Sequence, residues 1–137
     1  MIDKLSYLGG LIDGEGCFTF CKGRNQSVNP SFSLASTSDV IIVFLVDFLK
    51  EHKIVHSVTA TNRNDGSKPY KTVAVRSSKN LGVFIDLVYP YLLEKAPQAA
   101  LLKEFIQVRG QHAQNNMDWT KTEHLVSNIR QLNKRGV

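Results

Sequence analysis

Cysteine, tryptophan and long apolar runs are scarce in this sequence of 137 residues, which contains two cysteines and one tryptophan. Cys17 and Cys21 are too close in sequence to close a useful loop, so we expect reduced thiols rather than a disulfide. No apolar run reaches the roughly 18 residues of a membrane helix, so we expect no membrane partner. The first residues lack the regions of a signal peptide, which favours an intracellular protein, in an organelle or a prokaryotic cytoplasm.

The length and composition fit a single domain over residues 1–137, with 42% hydrophobic and 21% charged residues. The formal net charge of +5 favours a polyanionic partner. Most of the excess lies in residues 15–79, which hold nine Lys and Arg against five Asp and Glu. No glycine-rich nucleotide loop, nucleophile elbow or zinc-ribbon spacing is present, and we expect no small-molecule substrate.

Apolar periodicity predicts an α+β fold in the order helix, two strands, helix, two strands, helix, with further helices at the end. The Thr37-Ser38-Asp39 sequence supplies N-cap chemistry for the second helix, whose composition alone would also fit a buried strand. The predicted helices cover 2–14, 40–49, 80–89, 98–109 and a segment from about 118, and the predicted strands cover 17–21, 31–35, 54–63 and 70–76.

The first predicted helix has two different faces. Its apolar residues lie on one arc, and the opposite arc has very little side chain. Glycine in a helix costs about 0.5–1 kcal/mol relative to alanine, so a close helix contact should compensate, and the same helix of a second subunit can supply it. The small face therefore predicts a two-fold homodimer, with an interface formed by Ser6, Gly9, Gly10, Asp13 and Gly14.

The end of this helix is acidic. In a two-fold pairing the Asp13 and Glu15 carboxylates of both subunits would meet beside helix C-termini, which already carry partial negative charge. Divalent cations would relieve the repulsion, and carboxylates and carbonyls are oxygen ligands suited to Mg²⁺. The alternative is that Asp13 caps the helix and that Gly14-Glu15-Gly16 is a turn.

The segment Leu8-Gly9-Gly10-Leu11-Ile12-Asp13-Gly14-Glu15-Gly16 resembles the LAGLIDADG motif of homing endonucleases. It departs from the motif by Gly at position 9 and by Gly14-Glu15 in place of Ala-Asp. The resemblance implies the αββαββα fold, with a four-stranded antiparallel sheet that forms a DNA-binding saddle. It also implies an intron-encoded homodimeric enzyme that cuts both strands of a long pseudo-palindromic double-stranded DNA site with a divalent metal.

The resemblance also assigns roles within the site. Glu15 takes the place of the catalytic metal ligand, and the carbonyl of Gly14 joins the shell of Mg²⁺, which Mn²⁺ or Ca²⁺ could replace. Asp13 is a weaker ligand candidate and is more similar to a structural residue at the helix end. Lys95, in the segment from Pro90 to Ala99, matches an active-site lysine that could stabilise charge on phosphate. A further polar residue belongs among Ser36, Thr37 and Ser38, of which Thr37 and Ser38 are the catalytic candidates.

Alternation along the strands predicts which face of the sheet reads DNA. The core face should hold Phe18, Phe20, Phe32, Leu34, Val73 and Val75. The opposite face and the hairpin loops should supply the DNA contacts, namely Thr19, Lys22, Arg24, Asn25, Gln26, Asn29, Ser31, Ser33, Thr59, Thr61, Arg63, Lys68, Tyr70, Thr72 and Arg76. For any one of these residues a solvated surface position is the alternative.

Two rival functions fit the same sequence. The scaffold could belong to an intron maturase or a DNA-binding regulator that does not cleave, although the presence of Glu15 and Lys95 argues against this. A basic αβ domain could also bind nucleic acid by charge alone, in which case affinity would fall steeply with salt and show little sequence preference.

Overall fold

The computed structural model describes residues 3–22, 28–62, 66–111 and 119–135. Within these ranges the elements follow the predicted order, and none of the described helices is both long and apolar enough to cross a membrane. The helices are α1 (Lys4–Glu15), α2 (Asp39–Glu51), α3 (Ser78–Val88), α4 (Ala96–Gln111) and α5 (Trp119–Arg135), with a 3₁₀ turn at Tyr89–Tyr91; the strands are β1 (Gly16–Lys22), β2 (Val28–Ser36), β3 (Ser57–Thr61) and β4 (Tyr70–Val75).

The four strands form one antiparallel sheet in the order β1-β2-β4-β3. Each hairpin pairs its own strands, and β2 and β4 join the two hairpins, so that β1 and β3 are the edges. Phe32 lies opposite Phe18 on one side and opposite Val75 on the other. This arrangement confirms the predicted α+β fold with a four-stranded antiparallel sheet.

One face of the sheet forms the core together with the helices. The six residues predicted for this face, Phe18, Phe20, Phe32, Leu34, Val73 and Val75, are all buried. The Phe32 ring lies 5.1 Å from the Phe18 ring and 4.7 Å from the Phe84 ring of α3. Burying a side chain of this size contributes about 1.5–3 kcal/mol, so this face fixes the register of the sheet.

The first helix begins at Lys4, two residues later than predicted. The reason is Asp3, which is the N-cap residue and accepts hydrogen bonds from the Leu5 and Ser6 amides. The Ser6 hydroxyl also donates to this carboxylate at 2.8 Å. Two hydrogen bonds from Ser6 lower the pKa of Asp3, and the one from the hydroxyl has a larger effect than the one from the amide.

The start of the third strand differs from the prediction, because β3 begins at Ser57 instead of at residue 54. Lys53 has a positive φ of 57°, and the amides of Lys53 and Ile54 donate to the carbonyls of Lys50 and Leu49 at 3.1 and 2.8 Å. These bonds close the last turn of α2 in the manner of a left-handed helix C-terminus. The backbone of residues 53 and 54 therefore completes the end of the helix, and the strand starts only after it.

The C-terminal helices cover the outer edge of β1. Asn133 of α5 donates from Nδ2 to the Phe18 carbonyl at 3.1 Å, and Gln98 of α4 donates from Nε2 to Asn133 Oδ1 at 3.5 Å. An uncovered edge strand exposes backbone groups that invite pairing with other chains. The added helices therefore protect the strand that directly follows the LAGLIDADG-like segment.

Candidate active site and sheet surface

The end of α1 leads into the sheet without a connecting residue, since α1 ends at Glu15 and β1 begins at Gly16. Gly16 is buried, and a Cβ there would lie 2.9 Å from both the Ile12 carbonyl oxygen and the Phe32 ring. Its amide donates to the Ile12 carbonyl. Gly14 and Glu15 are exposed. The tight junction therefore holds a carboxylate at the surface where helix and sheet meet.

Asp13 connects this helix end to a distant part of the chain. Its Oδ2 accepts a hydrogen bond from the Leu93 amide at 2.8 Å, and its Oδ1 accepts one from the Lys95 amide at 3.0 Å. The segment before α4 is thereby bound to the last turn of α1. Lys95, whose side chain is half-buried, thus lies in the segment that is held at the same end of α1 as Glu15.

The junction of β2 and α2 holds the three polar residues predicted for the site. Ser38 is the N-cap of α2 and accepts a hydrogen bond from the Ile41 amide at 3.4 Å, while Ser36 Oγ accepts one from the Ser38 amide at 3.0 Å. Both oxygens therefore support the local backbone. Thr37 is exposed and remains the candidate for a site role. The cleft next to it is lined by Ala35, Ser36, Thr37, Ser67, Lys68 and Tyr70.

The oxygen atoms at the end of α1 fit a divalent metal, but one chain supplies only part of a coordination shell. Among the described residues, no group of three or more His, Cys, Asp and Glu side chains could hold a metal ion. Glu15 provides one exposed carboxylate, and the last carbonyls of a helix lack donors within the helix. These are the hard oxygen ligands that Mg²⁺ prefers, and a metal here would need further ligands from outside the chain.

The strand register brings together the polar side chains predicted for the outer face of the sheet. Thr19 pairs with Ser31, Thr59 with Thr72, and Thr61 with Tyr70. Ser33 follows on the same face by alternation. The register also places on this face residues that were not among the predicted contacts, among them Cys17, Ala35, Ser57 and Ala74. Each of these residues lies two positions from a selected residue in its own strand, so the alternation itself indicates them.

A family model described as a LAGLIDADG-like domain matches residues 3–89, which is more than half of the chain. The chain belongs to this LAGLIDADG-like family. Helix α1 and Gly16 carry its LAGLIDADG motif, from Leu8 to Gly16. No curated protein matches the sequence.

Solved structures share the fold of this LAGLIDADG chain. The homing endonuclease I-CvuI, solved with its target in the presence of Ca²⁺, is 22% identical and has a TM-score of 0.70 over 94% of this chain and 81% of its own. The archaeal intron-encoded homing endonuclease I-Vdi141I, complexed with DNA, is 20% identical, with a TM-score of 0.65 over 96% and 82%. The LAGLIDADG homing endonuclease I-GzeII, in complex with its DNA target, is 20% identical, with a TM-score of 0.68 over 94% and 44%. At these identities the likeness establishes the fold.

The small face of α1, which was predicted to form the dimer interface, is exposed in part. Ser6, Gly10 and Gly14 are exposed, and a Cβ added to either of these glycines would meet no atom within 4 Å. Nothing within the described residues of this chain therefore requires glycine at positions 10 and 14. Asp13 is half-buried, with its two oxygens bonded within its own chain.

The assignment of Gly9 to the dimer interface is wrong. Gly9 is buried, and a Cβ there would lie 2.3 Å from the carbonyl oxygen and 2.6 Å from the Cβ of Tyr91 in the same chain. Glycine at this position lets α1 approach the Tyr89–Tyr91 turn. The error arose because the sequence pattern showed a run of small residues without showing that Gly9 packs against Tyr91 of the same chain, whereas Gly10 and Gly14 are exposed.

The inclusion of Ser31 among the DNA contacts is also contradicted. Ser31 lies on the predicted face but is only 4% exposed, so its side chain does not reach the surface. Among the other predicted contacts, Lys68 and Arg76 are exposed, and Asn29 is half-buried. Lys22 ends β1. Four further predicted contacts lie outside the described residues, namely Arg24, Asn25, Gln26 and Arg63.

Proposed function

We propose that this chain is one subunit of a homodimeric endonuclease that recognises a long, partly palindromic double-stranded DNA site and hydrolyses both strands with Mg²⁺. The observation that carries the proposal is the convergence at the end of α1, where exposed Glu15 lies two residues from the carboxylate that binds the Lys95 backbone. Acting on DNA implies an intracellular protein.

The chain's own residues divide the chemistry between them. Glu15 and the Gly14 carbonyl would hold the metal, which when bound supplies Lewis-acid activation of water and phosphate. Lys95 provides a cation that offsets the charge developing on phosphate oxygens, and Thr37 offers an exposed hydroxyl for a water or phosphate oxygen. Ser38 acts as a helix cap in this proposal, and Asp13 is not a metal ligand.

The outer face of the sheet supports DNA recognition. Its threonines, together with Ser33 and Tyr70, present hydroxyl groups that can donate to and accept from base edges in the major groove. Exposed Lys68 and Arg76 suit phosphate contact, and Arg76 can also pair with guanine. I-CvuI was solved with its target and I-Vdi141I with DNA, which supports a DNA partner for the same fold here.

The proposal of a homodimer is supported by the exposed glycines of α1. Gly10 and Gly14 lie four residues apart on one side of the helix, which permits a close approach of a second helix. The chain covers only 44% of I-GzeII, so that protein is more than twice as long as the matched fold. Two copies of this chain would supply a comparable amount of structure.

The substrate test starts from the sequence formed when the DNA flanking the gene is joined without the insertion. A plasmid carrying this joined sequence should be linearised by the wild-type protein in Mg²⁺. Glu15→Gln should bind the same DNA but lose cleavage, because it removes the charged ligand while keeping the size of the side chain. Glu104→Gln, at an exposed position of α4, is the matched control and should cleave normally.

Each rival function predicts a different result. Full cleavage by Glu15→Gln in Mg²⁺ would contradict the metal assignment. Specific binding by a wild-type protein that cuts nothing would identify a maturase or a regulator. Binding that shows no sequence preference and falls steeply with salt would identify a domain that binds by charge alone.

A further inference from the structure

Lys95 occupies a position that does not favour a cation. It directly precedes α4, and its carbonyl accepts the first helical bond, from the Ala99 amide at 3.0 Å, so it is the N-cap residue. Helix N-caps favour Ser, Thr, Asp and Asn, and the partial positive charge at a helix N-terminus repels a lysine. A local rule broken in this way is expected where a side chain serves a function.

Asp13 supplies the negative charge and the acceptors that this N-terminus lacks. Its two oxygens bind the amides of Leu93 and Lys95 at 2.8 and 3.0 Å, across 80 and 82 residues of sequence. Hydrogen bonds from amides to a carboxylate are charge-assisted and are stronger than neutral ones. A carboxylate from the last turn of α1 therefore binds the amide of the N-cap residue of α4.

Burial contributes little to holding the two residues between Leu92 and Lys95. The side chain of Leu93 is 88% exposed and Glu94 is exposed, whereas Leu92 is buried just before them. The second attachment to α1 is the close approach of Tyr91 to Gly9, where no Cβ would fit. The segment from Tyr91 to Lys95 is thus attached to α1 at two points one helical turn apart.

We propose that Asp13 is a positioning residue for Lys95. By fixing the main chain of Lys95 to the helix turn that carries Glu15, it sets the separation between the cation and the metal-binding carboxylate. The inference rests on the proposed endonuclease function. It explains why an acid that does not bind metal stands two residues before the one that does.

Amide exchange tests the attachment without any need for activity. In Asp13→Asn one oxygen is replaced by an NH₂ group that cannot accept, and in Asp13→Ala both acceptors are lost. Both amides, of Leu93 and Lys95, should exchange at least roughly tenfold faster than in the wild type in Asp13→Ala, and at least one of them should do so in Asp13→Asn; a tenfold ratio corresponds to about 1.4 kcal/mol. Asp3→Ala, which removes the cap at the other end of α1, should leave these two amides unchanged.

A double-mutant cycle tests whether the attachment acts through Lys95. Single-turnover cleavage of the joined-flank DNA in Mg²⁺ should fall roughly 10- to 100-fold in Asp13→Asn, because small misplacements of catalytic groups have effects of this size. DNA binding measured in Ca²⁺ should stay within about twofold of the wild type. In a Lys95→Ala background, Asp13→Asn should change the cleavage rate by less than about twofold, since the group that it positions is absent.

The outcomes separate this inference from the function on which it rests. Equal fractional losses in the wild-type and Lys95→Ala backgrounds would overturn the positioning role, as would unchanged exchange of both amides. A wild-type protein that binds the DNA but never cuts it would instead overturn the endonuclease function. In that case faster amide exchange in Asp13→Asn would still support the attachment, and unchanged exchange would refute it.

Discussion

Gly9 and Gly10 are adjacent in α1 but meet opposite surroundings, and substitutions at the two positions should have opposite effects. A Cβ at position 9 would lie 2.3 Å from the Tyr91 carbonyl oxygen, whereas one at position 10 would meet no atom within 4 Å. We expect Gly9→Ala to damage the fold of the chain. We expect Gly10→Arg to leave the fold intact and to prevent the close approach of a second subunit.

The expected magnitudes follow from these surroundings. Gly9→Ala gains about 0.5–1 kcal/mol of helix propensity, but the overlap involves backbone atoms, and overpacking costs about 1–3 kcal/mol or more. The free energy of unfolding should therefore fall. Gly10→Arg gains nearly 1 kcal/mol of helix propensity without an internal clash. Its dimer should dissociate because an arginine cannot fit between closely packed helices.

Two measurements distinguish these effects. Urea unfolding followed by circular dichroism reports the fold, and sedimentation velocity at micromolar concentration reports the mass. Gly10→Arg should sediment as a folded monomer, and its unfolding midpoint should no longer depend on protein concentration. A wild-type dimer mass for Gly10→Arg would refute the inferred interface, and unchanged stability of Gly9→Ala would refute the packing against Tyr91.

Two further substitutions test the C-terminal end of α2 and the packing of α5 against β1. Lys53→Gly should raise the free energy of unfolding by about 1 kcal/mol, because Lys53 has a φ of 57°, a conformation that glycine adopts without strain. Lys50→Gly, within α2, should lower the free energy of unfolding by a similar amount. A lower free energy of unfolding in both variants would contradict the explanation. Asn133→Ala should lower the free energy of unfolding by about 1–3 kcal/mol, because it leaves the Phe18 carbonyl and the Gln98 amide without their partner. Equal losses in Asn133→Ala and in the exposed control Arg130→Ala would show that these hydrogen bonds contribute nothing.

The fold could be predicted because hydrophobic periodicity reports which side of each element is buried. The alternation of Phe18 and Phe20 in β1 identified the core face correctly, and Ser38 was found as part of the cap of α2. The ends of helices and strands were less predictable where backbone hydrogen bonds determine them. Nothing in the residue types at 53–56 shows that Lys53 adopts a positive φ and delays β3.

The candidate site shows the same division. The motif located Glu15, and the resemblance located Lys95, but neither pattern showed that Asp13 joins the segments that carry them. A contact across 80 residues leaves no periodic trace in the sequence. Likewise, Gly9 and Gly10 are the same residue type, and only the position of Tyr91 separates their roles.

Because no residue separates α1 from β1, the number of residues in the motif fixes the orientation of the side chains of β1 relative to α1. Successive strand residues point to opposite faces, so one residue inserted after Glu15 would exchange the faces of β1 and bring Thr19 towards the core and Phe18 towards solvent. One deleted residue would do the same. The motif can therefore tolerate substitution more readily than any change in length, because its length sets which side chains of β1 face outward.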